Sequence, residues 1–303
     1  MQSYDMIILG AGPSGLSAAL YSARAKLKTL VVSGPLPGGQ ITKTNEVDNY
    51  PGFPEGISGT DLGDKFRDQS QRYGAEIIDG KATQVNFLTQ PYTVNVGEEQ
   101  YNTRSVIIAT GMNPKKLEVL GEDRFYGHGV FTCSTCDSLF YEDLRVAVIG
   151  GGDSALQEAL DLAKYASNVI IVNRKETLKA GRYLTDKARN NKKISFQLSS
   201  IVEEISGDKS VSSIRIRHLD TNITEILDVA GVLIAIGWEP NTGIFIGQLE
   251  LDNYGYIIAE GTHTSKPGIF IAGDLIDKVY RQVVTSCASG CIAAIEAERY
   301  LTA

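Results

Sequence analysis

Asp5-Met6-Ile7-Ile8-Leu9-Gly10-Ala11-Gly12-Pro13-Ser14-Gly15 is a short apolar run closed by a glycine-rich turn. Leu16, Ala19, Leu20 and Ala23 follow at helical spacing, so the stretch reads as strand, turn and helix. Thr29-Leu30-Val31-Val32 supplies a second strand and completes a unit of about 30 residues, the span of a dinucleotide fingerprint. In that pattern Gly10 allows the tight turn, Gly12 lets a pyrophosphate approach the backbone, and Gly15 lets helix and strand pack closely. The phosphates then sit at the helix N-terminus, beside Pro13 and Ser14. The second strand ends at Ser33-Gly34, without the Asp or Glu that normally holds a ribose, so the ribose of this nucleotide must be held elsewhere.

The same grammar returns later. Val146-Ala147-Val148-Ile149 leads into Gly150-Gly151-Gly152-Asp153-Ser154-Ala155, a helix follows with Leu156, Ala159, Leu160 and Ala163 on one face, and Val169-Ile170-Ile171-Val172 closes the unit. Alanine in the third fingerprint place still permits close packing. Asn173, Arg174, Lys175 and Lys179 come next, with no acid at the strand end. A carboxylate there would bind the ribose hydroxyls of NAD, whereas positive charge suits the 2'-phosphate of NADP. The competing reading is a solvated basic helix start.

Two further β-branched runs ended by glycine, Ser105–Gly111 and Gly231–Gly237, mark the returns into and out of an inserted domain, and the stretch from Ile201 to Asp228 alternates as β-strands do. Gly268-Ile269-Phe270-Ile271-Ala272-Gly273-Asp274 is another buried strand, and Val284, Cys287, Ala288, Cys291, Ile292 and Ile295 are expected to form the apolar stripe of a closing helix. The reading is an α/β protein of two Rossmann-like nucleotide-binding domains, the second inserted into the first. The expected division is residues 1–112 with 242–303, and residues 113–241. Gly111–Pro114 and Trp238–Asn241 are the expected hinges.

Cys133-Ser134-Thr135-Cys136 is followed directly by Asp137. Two thiols at this spacing can close into a disulfide, and a neighbouring carboxyl can move the protons that making or breaking the bond requires. Asp137 as a plain helix N-cap is the structural alternative. Four cysteines also suffice for a zinc site completed by Cys287 and Cys291, but that leaves both glycine turns unexplained, and thiols at i and i+4 on an apolar face are ordinary core. A redox dithiol beside nucleotide sites uses every motif. His128, His218 and His263 have no convincing partner.

A net charge of −7 opposes a broad nucleic-acid footprint, and 43% hydrophobic with 21% charged residues is the balance of a globular rather than disordered chain. No signal peptide or membrane span is expected, and few cysteines point to a reducing cytoplasm.

Together with Gly38-Gly39-Gln40, Asn49-Tyr50-Pro51-Gly52, Ala109-Thr110-Gly111 and Tyr280-Arg281-Gln282, these motifs resemble the low-molecular-weight thioredoxin reductases over essentially the full length. The resemblance implies FAD in the first site, lined by Gly10, Gly12, Pro13, Ser14, Gly15, Ser33, Gly34, Gly39, Gln40, Asn49, Thr110, Gly111 and Gly273. It places Asp274 on the ribityl chain and Arg281 and Gln282 near the ring. It implies NADPH on the second unit, at Gly151, Gly152, Asp153, Ser154, Arg174, Lys175 and Lys179, and a homodimer that reduces thioredoxin. The catalytic residues it implies are Cys136 facing the flavin, Cys133 attacking thioredoxin, and Asp137 moving protons, with the inserted domain rotating between two arrangements. The family's basic signature reads His-Arg-Arg-x-x-x-Arg, and here Asn173-Arg174-Lys175-x-x-x-Lys179 replaces guanidinium forks with point charges. NADH or ferredoxin as donor, and a dithiol oxidase of the same fold, are the alternative readings.

Overall fold

The apolar run before the first glycine turn becomes the middle of a sheet. The computed structural model describes residues 2–44 and 46–303. Strand β1 (Gln2–Leu9) leads through the turn into α1 (Pro13–Arg24), which Pro13 starts at a position where its missing N–H is not needed. Next come β2 (Thr29–Val32), α2 (Gly59–Arg72), β3 (Glu76–Ile78), β4 (Ala82–Asn86), β5 (Tyr92–Val96), β6 (Glu99–Ile108) and β7 (Met112–Pro114). The inserted stretch holds α3 (Glu122–Phe125), β8 (Val130–Phe131), α4 (Ser134–Asp137), β9 (Arg145–Ile149), α5 (Asp153–Leu162), β10 (Asn168–Val172), α6 (Arg182–Asn190), β11 (Ile194–Gln197), β12 (Ser200–Gly207), β13 (Val211–His218), β14 (Thr224–Asp228), β15 (Gly231–Ile234) and β16 (Trp238–Pro240). The chain returns with β17 (Ala259–Glu260), β18 (His263–Thr264), β19 (Ile269–Ile271) and α7 (Val283–Thr302). Two units result, Met1–Asn113 with Glu239–Ala303, and Pro114–Trp238, and the crossing strands β7 and β16 pair with each other.

In the first unit the order is β17-β18-β19-β6-β1-β2-β3, with β5 also joined to β6 and β4 to β5. Strands β19, β6, β1, β2 and β3 run parallel, and Ile8 stands between Ile107 and Val31. Helices cover such a sheet on both faces, so its strands are apolar at every position rather than at alternate ones. Ile7, Ile8 and Ile107 are fully buried, each contributing about 1.5–3 kcal/mol. In the second unit the order is β11-β10-β9-β15-β8, all parallel, with the antiparallel meander β12-β13-β14 alongside in the chain.

The closing helix corrects the sequence expectation. The face of α7 that packs inward carries Ser286, Gly290, Ala293, Ala294, Ala297 and Leu301, while Val284 and Ile292 are 45% and 51% exposed. Close approach explains the reversal: a Cβ on Gly290 would lie 2.0 Å from the backbone oxygen of Ser14. Small residues let α7 reach the start of α1, whereas periodicity weighted by bulk selects the opposite stripe. The first strand also begins at Gln2, ahead of the expected Asp5, and the run from Ser105 is the end of a ten-residue strand.

Candidate active site

In the first glycine turn, Gly10 adopts φ +111°, and a Cβ there would meet Ala109 O at 2.3 Å. Gly10 N–H donates to Val32 O at 2.8 Å and Ala11 N–H to Ser33 O at 3.1 Å, so β2 holds the turn directly. Gly39 leans on it so closely that a Cβ would lie 2.8 Å from Gly12 Cα. A Cβ on Gly15 would lie 1.8 Å from Gly10 O. Helix α1 begins at Gly12 with no side-chain cap and no acid in its first turn. Its positive end and free N–H groups therefore remain open to an anion, which fits a pyrophosphate.

Ser33 is buried and its hydroxyl is committed within the protein, donating to Gly34 O at 3.1 Å and accepting from Gly80 N–H at 3.3 Å. Gly34 next to it, at φ +79°, has open space where a Cβ would be. Gly273 brings the end of β19 against the first turn of α1, since a Cβ there would lie 2.6 Å from Ser14 Oγ. Asp274 follows it and accepts from Ser286 Oγ at 2.9 Å. Burial pushes this carboxyl above its ordinary range, with the Ser286 hydrogen bond working against the rise and the charge of Asp277 adding to it. A carboxylate held in such a place suits ligand hydroxyls that donate to it.

Asp277 organises the segment after it: Tyr280 N–H and Arg281 N–H donate to its two oxygens at 2.7 and 3.0 Å, fixing Arg281 at φ +50°. Gln282 then caps α7 reciprocally with Thr285, and Asn49 Nδ2 approaches Gln282 Oε1 at 3.5 Å. Gln40 Nε2 donates to Asn113 Oδ1 at 2.9 Å and to Met112 O at 3.2 Å. Asn113 Nδ2 donates to Asn241 Oδ1 at 2.9 Å, and Thr110 and Asn241 exchange side-chain and backbone bonds at 2.8 and 3.0 Å. Gly111, at φ +63°, completes the latch by accepting from Asn241 N–H at 3.0 Å. Sequence reading singled out Gln40, Thr110 and Gly111 but missed Asn113 and Asn241 as side-chain partners. Their only signal was position in the Gly/Pro/Asn segments.

In the second unit, α5 also starts at a glycine, Gly152, with no side-chain cap. Asp153 is not open to a ligand on both oxygens, because Gly181 N–H donates to its Oδ1 at 2.7 Å. Ser154 is exposed on the first turn. Lys179 N–H and Ala180 N–H donate to Gly151 O at 2.7 and 3.1 Å, so the basic loop folds onto the glycine turn. The side chains of Arg174, Lys175 and Lys179 are exposed and form no ion pair among the described residues.

Cys133 and Cys136 are joined in a disulfide with their Cα atoms 5.4 Å apart. Cys133 precedes the short helix α4, whose first N–H, that of Ser134, donates to Glu158 Oε2 on α5 at 2.6 Å. Ser138 Oγ donates to Ser134 O at 2.5 Å and closes the turn from the other side. Asp137, partly buried, precedes a 3-10 turn at Ser138–Tyr141 without capping it through its side chain. Burial raises the phenols of Tyr126 and Tyr141, and the charge of Asp137 raises both further. Both phenols therefore stay neutral. Leu139 and Phe140 just beyond it are 60% and 52% exposed.

The other two cysteines lie on α7 and are free. Burial pushes the Cys287 thiol up to about 11, with a hydrogen bond from Tyr50 opposing the rise, so it is an inert thiol rather than a nucleophile. His218 bridges Ser200 and Glu225 at 3.0 and 3.2 Å, and His263 lies 3.7 Å from Glu296, which makes both structural. No helix among the described residues is long and apolar enough to cross a membrane.

Two glycine turns, each followed by an uncapped helix, with a disulfide in the second unit, define a two-nucleotide redox protein. Residues 4–290 match the pyridine nucleotide-disulphide oxidoreductase family, and the chain belongs to it. Membership implies a flavin and a nicotinamide nucleotide. Within the family the chain is similar to proteins named thioredoxin reductase: that of Chlamydia pneumoniae is 45% identical over 305 residues, covering 98% of each chain. That of Mycolicibacterium smegmatis is 43% identical over 300 residues, covering 98% of this chain and 96% of that protein. Among solved structures, the thioredoxin reductases of Giardia duodenalis and Streptococcus pyogenes each superpose with a TM-score of 0.94, at 34% and 36% identity. The former covers 100% of both chains, the latter 99% of this chain and 98% of that one.

Proposed function

We propose that this protein is a flavoprotein thioredoxin reductase, carrying two electrons from NADPH to the Cys133–Cys136 disulfide and from the resulting dithiol to thioredoxin. The observation that carries the reading is the closed disulfide beside Asp137, in the same unit as a glycine turn flanked by exposed cations. The first site fits FAD: the α1 N-terminus and Gly12 would take its pyrophosphate, and Asp274 its hydroxyls. Bound there, FAD would supply two-electron chemistry between a nicotinamide and a disulfide.

The remaining steps belong to the chain's own residues. Reduced Cys133 passes its proton to Asp137 and, as thiolate, attacks one sulfur of the thioredoxin disulfide; that bond breaks, a mixed disulfide forms, and the departing thiolate takes the proton from Asp137. Cys136 then passes its own proton to Asp137 and attacks Cys133, re-forming the Cys133–Cys136 bond, and the second thioredoxin sulfur leaves with that proton, so thioredoxin departs with two thiols. The exposed Leu139 and Phe140 offer an apolar landing for the partner beside these sulfurs. The second unit takes NADPH in preference to NADH through Arg174, Lys175 and Lys179. On the family resemblance we add that it works as a cytoplasmic homodimer.

Trapping tests this reading. Cys136→Ser, mixed with oxidised thioredoxin after reduction, is expected to accumulate a mixed disulfide through Cys133, while Cys133→Ser is not. Trapping by Cys133→Ser alone reverses the two sulfur roles. A wild-type protein that oxidises no NADPH in the presence of thioredoxin rejects the function.

A further inference from the structure

We propose that Asn173 positions the residues that bind the donor's 2'-phosphate without touching the phosphate itself; this rests on the NADPH reading above. Asn173 stands where the family's basic signature begins, and a shared role with Arg174, Lys175 and Lys179 is the obvious assignment. Its surroundings exclude that. The residue is 8% exposed, and its amide nitrogen has two hydrogens, both committed: Nδ2 donates to Lys175 O at 2.8 Å and to Thr177 O at 3.2 Å. No donor is left for an anion, and the remaining amide atom, Oδ1, would repel one.

What the carboxamide does instead is join two loops. Asn173 is fixed at the end of β10 by its own N–H, which donates to Gln197 O at 2.9 Å. From there its side chain holds the 175–177 turn on one side and abuts the glycine turn on the other, where a Cβ on Gly151 would lie 2.5 Å from its Oδ1. Further along, Lys179 N–H and Ala180 N–H bind Gly151 O at 2.7 and 3.1 Å, and Gly181 N–H binds Asp153 Oδ1 at 2.7 Å. The loop bearing the three cations is therefore bonded to the glycine turn at its far end and packed against it through Asn173 at its start, while the cations are exposed and form no ion pair among the described residues. Pre-ordering matters most for lysine, whose flexible stem and point charge gain little geometry of their own. An uncharged, buried asparagine thus helps a lysine-bearing loop hold a phosphate.

A double-mutant cycle on the flavin-loaded protein separates positioning from contact. The probes are adenosine 2',5'-bisphosphate and AMP, with affinity measured by calorimetry in the absence of turnover. Asn173→Ala is expected to weaken the bisphosphate roughly tenfold and AMP much less. In a Lys175→Ala/Lys179→Ala background the same substitution is expected to change bisphosphate affinity by less than about twofold, because the groups it positions are gone. Equal loss in both backgrounds, or no loss in either, overturns the proposal. A wild-type protein that binds both probes equally rejects the NADPH reading and the proposal with it. Asn173→Ser, which keeps a shorter donor, is expected to show an intermediate loss and covers the case in which the alanine variant does not fold. Amide exchange of the unliganded alanine variant is expected to quicken at Lys179, Ala180 and Gly181; unchanged protection there also overturns it.

Discussion

The backbone N–H of Ser134 donates to Glu158 Oε2 at 2.6 Å, so the turn that carries the dithiol hangs from the helix that follows the second glycine turn. Ser134 is 1% exposed, and a buried N–H deprived of a charged acceptor costs about 1–3 kcal/mol. Glu158→Ala is expected to lower thioredoxin-dependent turnover roughly tenfold, equivalent to about 1.4 kcal/mol of barrier. Flavin bleaching by NADPH, followed by stopped flow, keeps its rate. Glu158→Gln, which retains an acceptor, recovers most of the loss.

Asp274 sits in a buried setting that disfavours its charged form. Burial lifts its carboxyl above the ordinary value of 3.8, so the native state holds the proton more tightly than the unfolded chain. Stability therefore falls as pH rises from 3.8 through the raised native value, and the whole cost is present at neutral pH. Flavin-free Asp274→Asn is expected to melt above the parent at neutral pH, and the gap is expected to close below pH 3.8. Flavin affinity falls in the same variant. A melting curve that does not move between the two pH values contradicts this reading.

Gly290→Ala places a methyl 2.0 Å from Ser14 O, where two backbones meet and no flexible side chain can yield. The expected loss is about 3 kcal/mol, read as a lower urea midpoint with an unchanged slope. Because Ser14 heads α1, flavin retention falls with it. The neighbouring Ala288→Ser, on the exposed face of the same helix, is expected to leave both unchanged.

The parts of the fold legible in sequence were those with strong local grammar. Strand, glycine turn and helix at Gly10 and at Gly150 were readable because tight turns, close backbone approach and apolar runs each select few residue types. The dithiol was legible for the same reason. The α7 packing face was not, since Gly290 and Ala293 announce close approach only once their neighbour in space, Ser14, is known. Asp153 and Asn173 also clamp loops, a role that only the bonds to Gly181 N–H, Lys175 O and Thr177 O reveal. The Asn113–Asn241 pair joins segments 128 residues apart, a separation at which no periodicity gives a signal.

In the proposed reaction, electrons from the nicotinamide reach one particular sulfur-sulfur bond. The chain has four cysteines, of which Cys133 and Cys136 are bonded and Cys287 and Cys291 are free. The flavin-loaded protein is mixed anaerobically with excess NADPH, quenched in acid, unfolded, alkylated and weighed. The label count is expected to rise from two to four, with both new labels on Cys133 and Cys136. A flavin that bleaches fully while the count stays at two contradicts it.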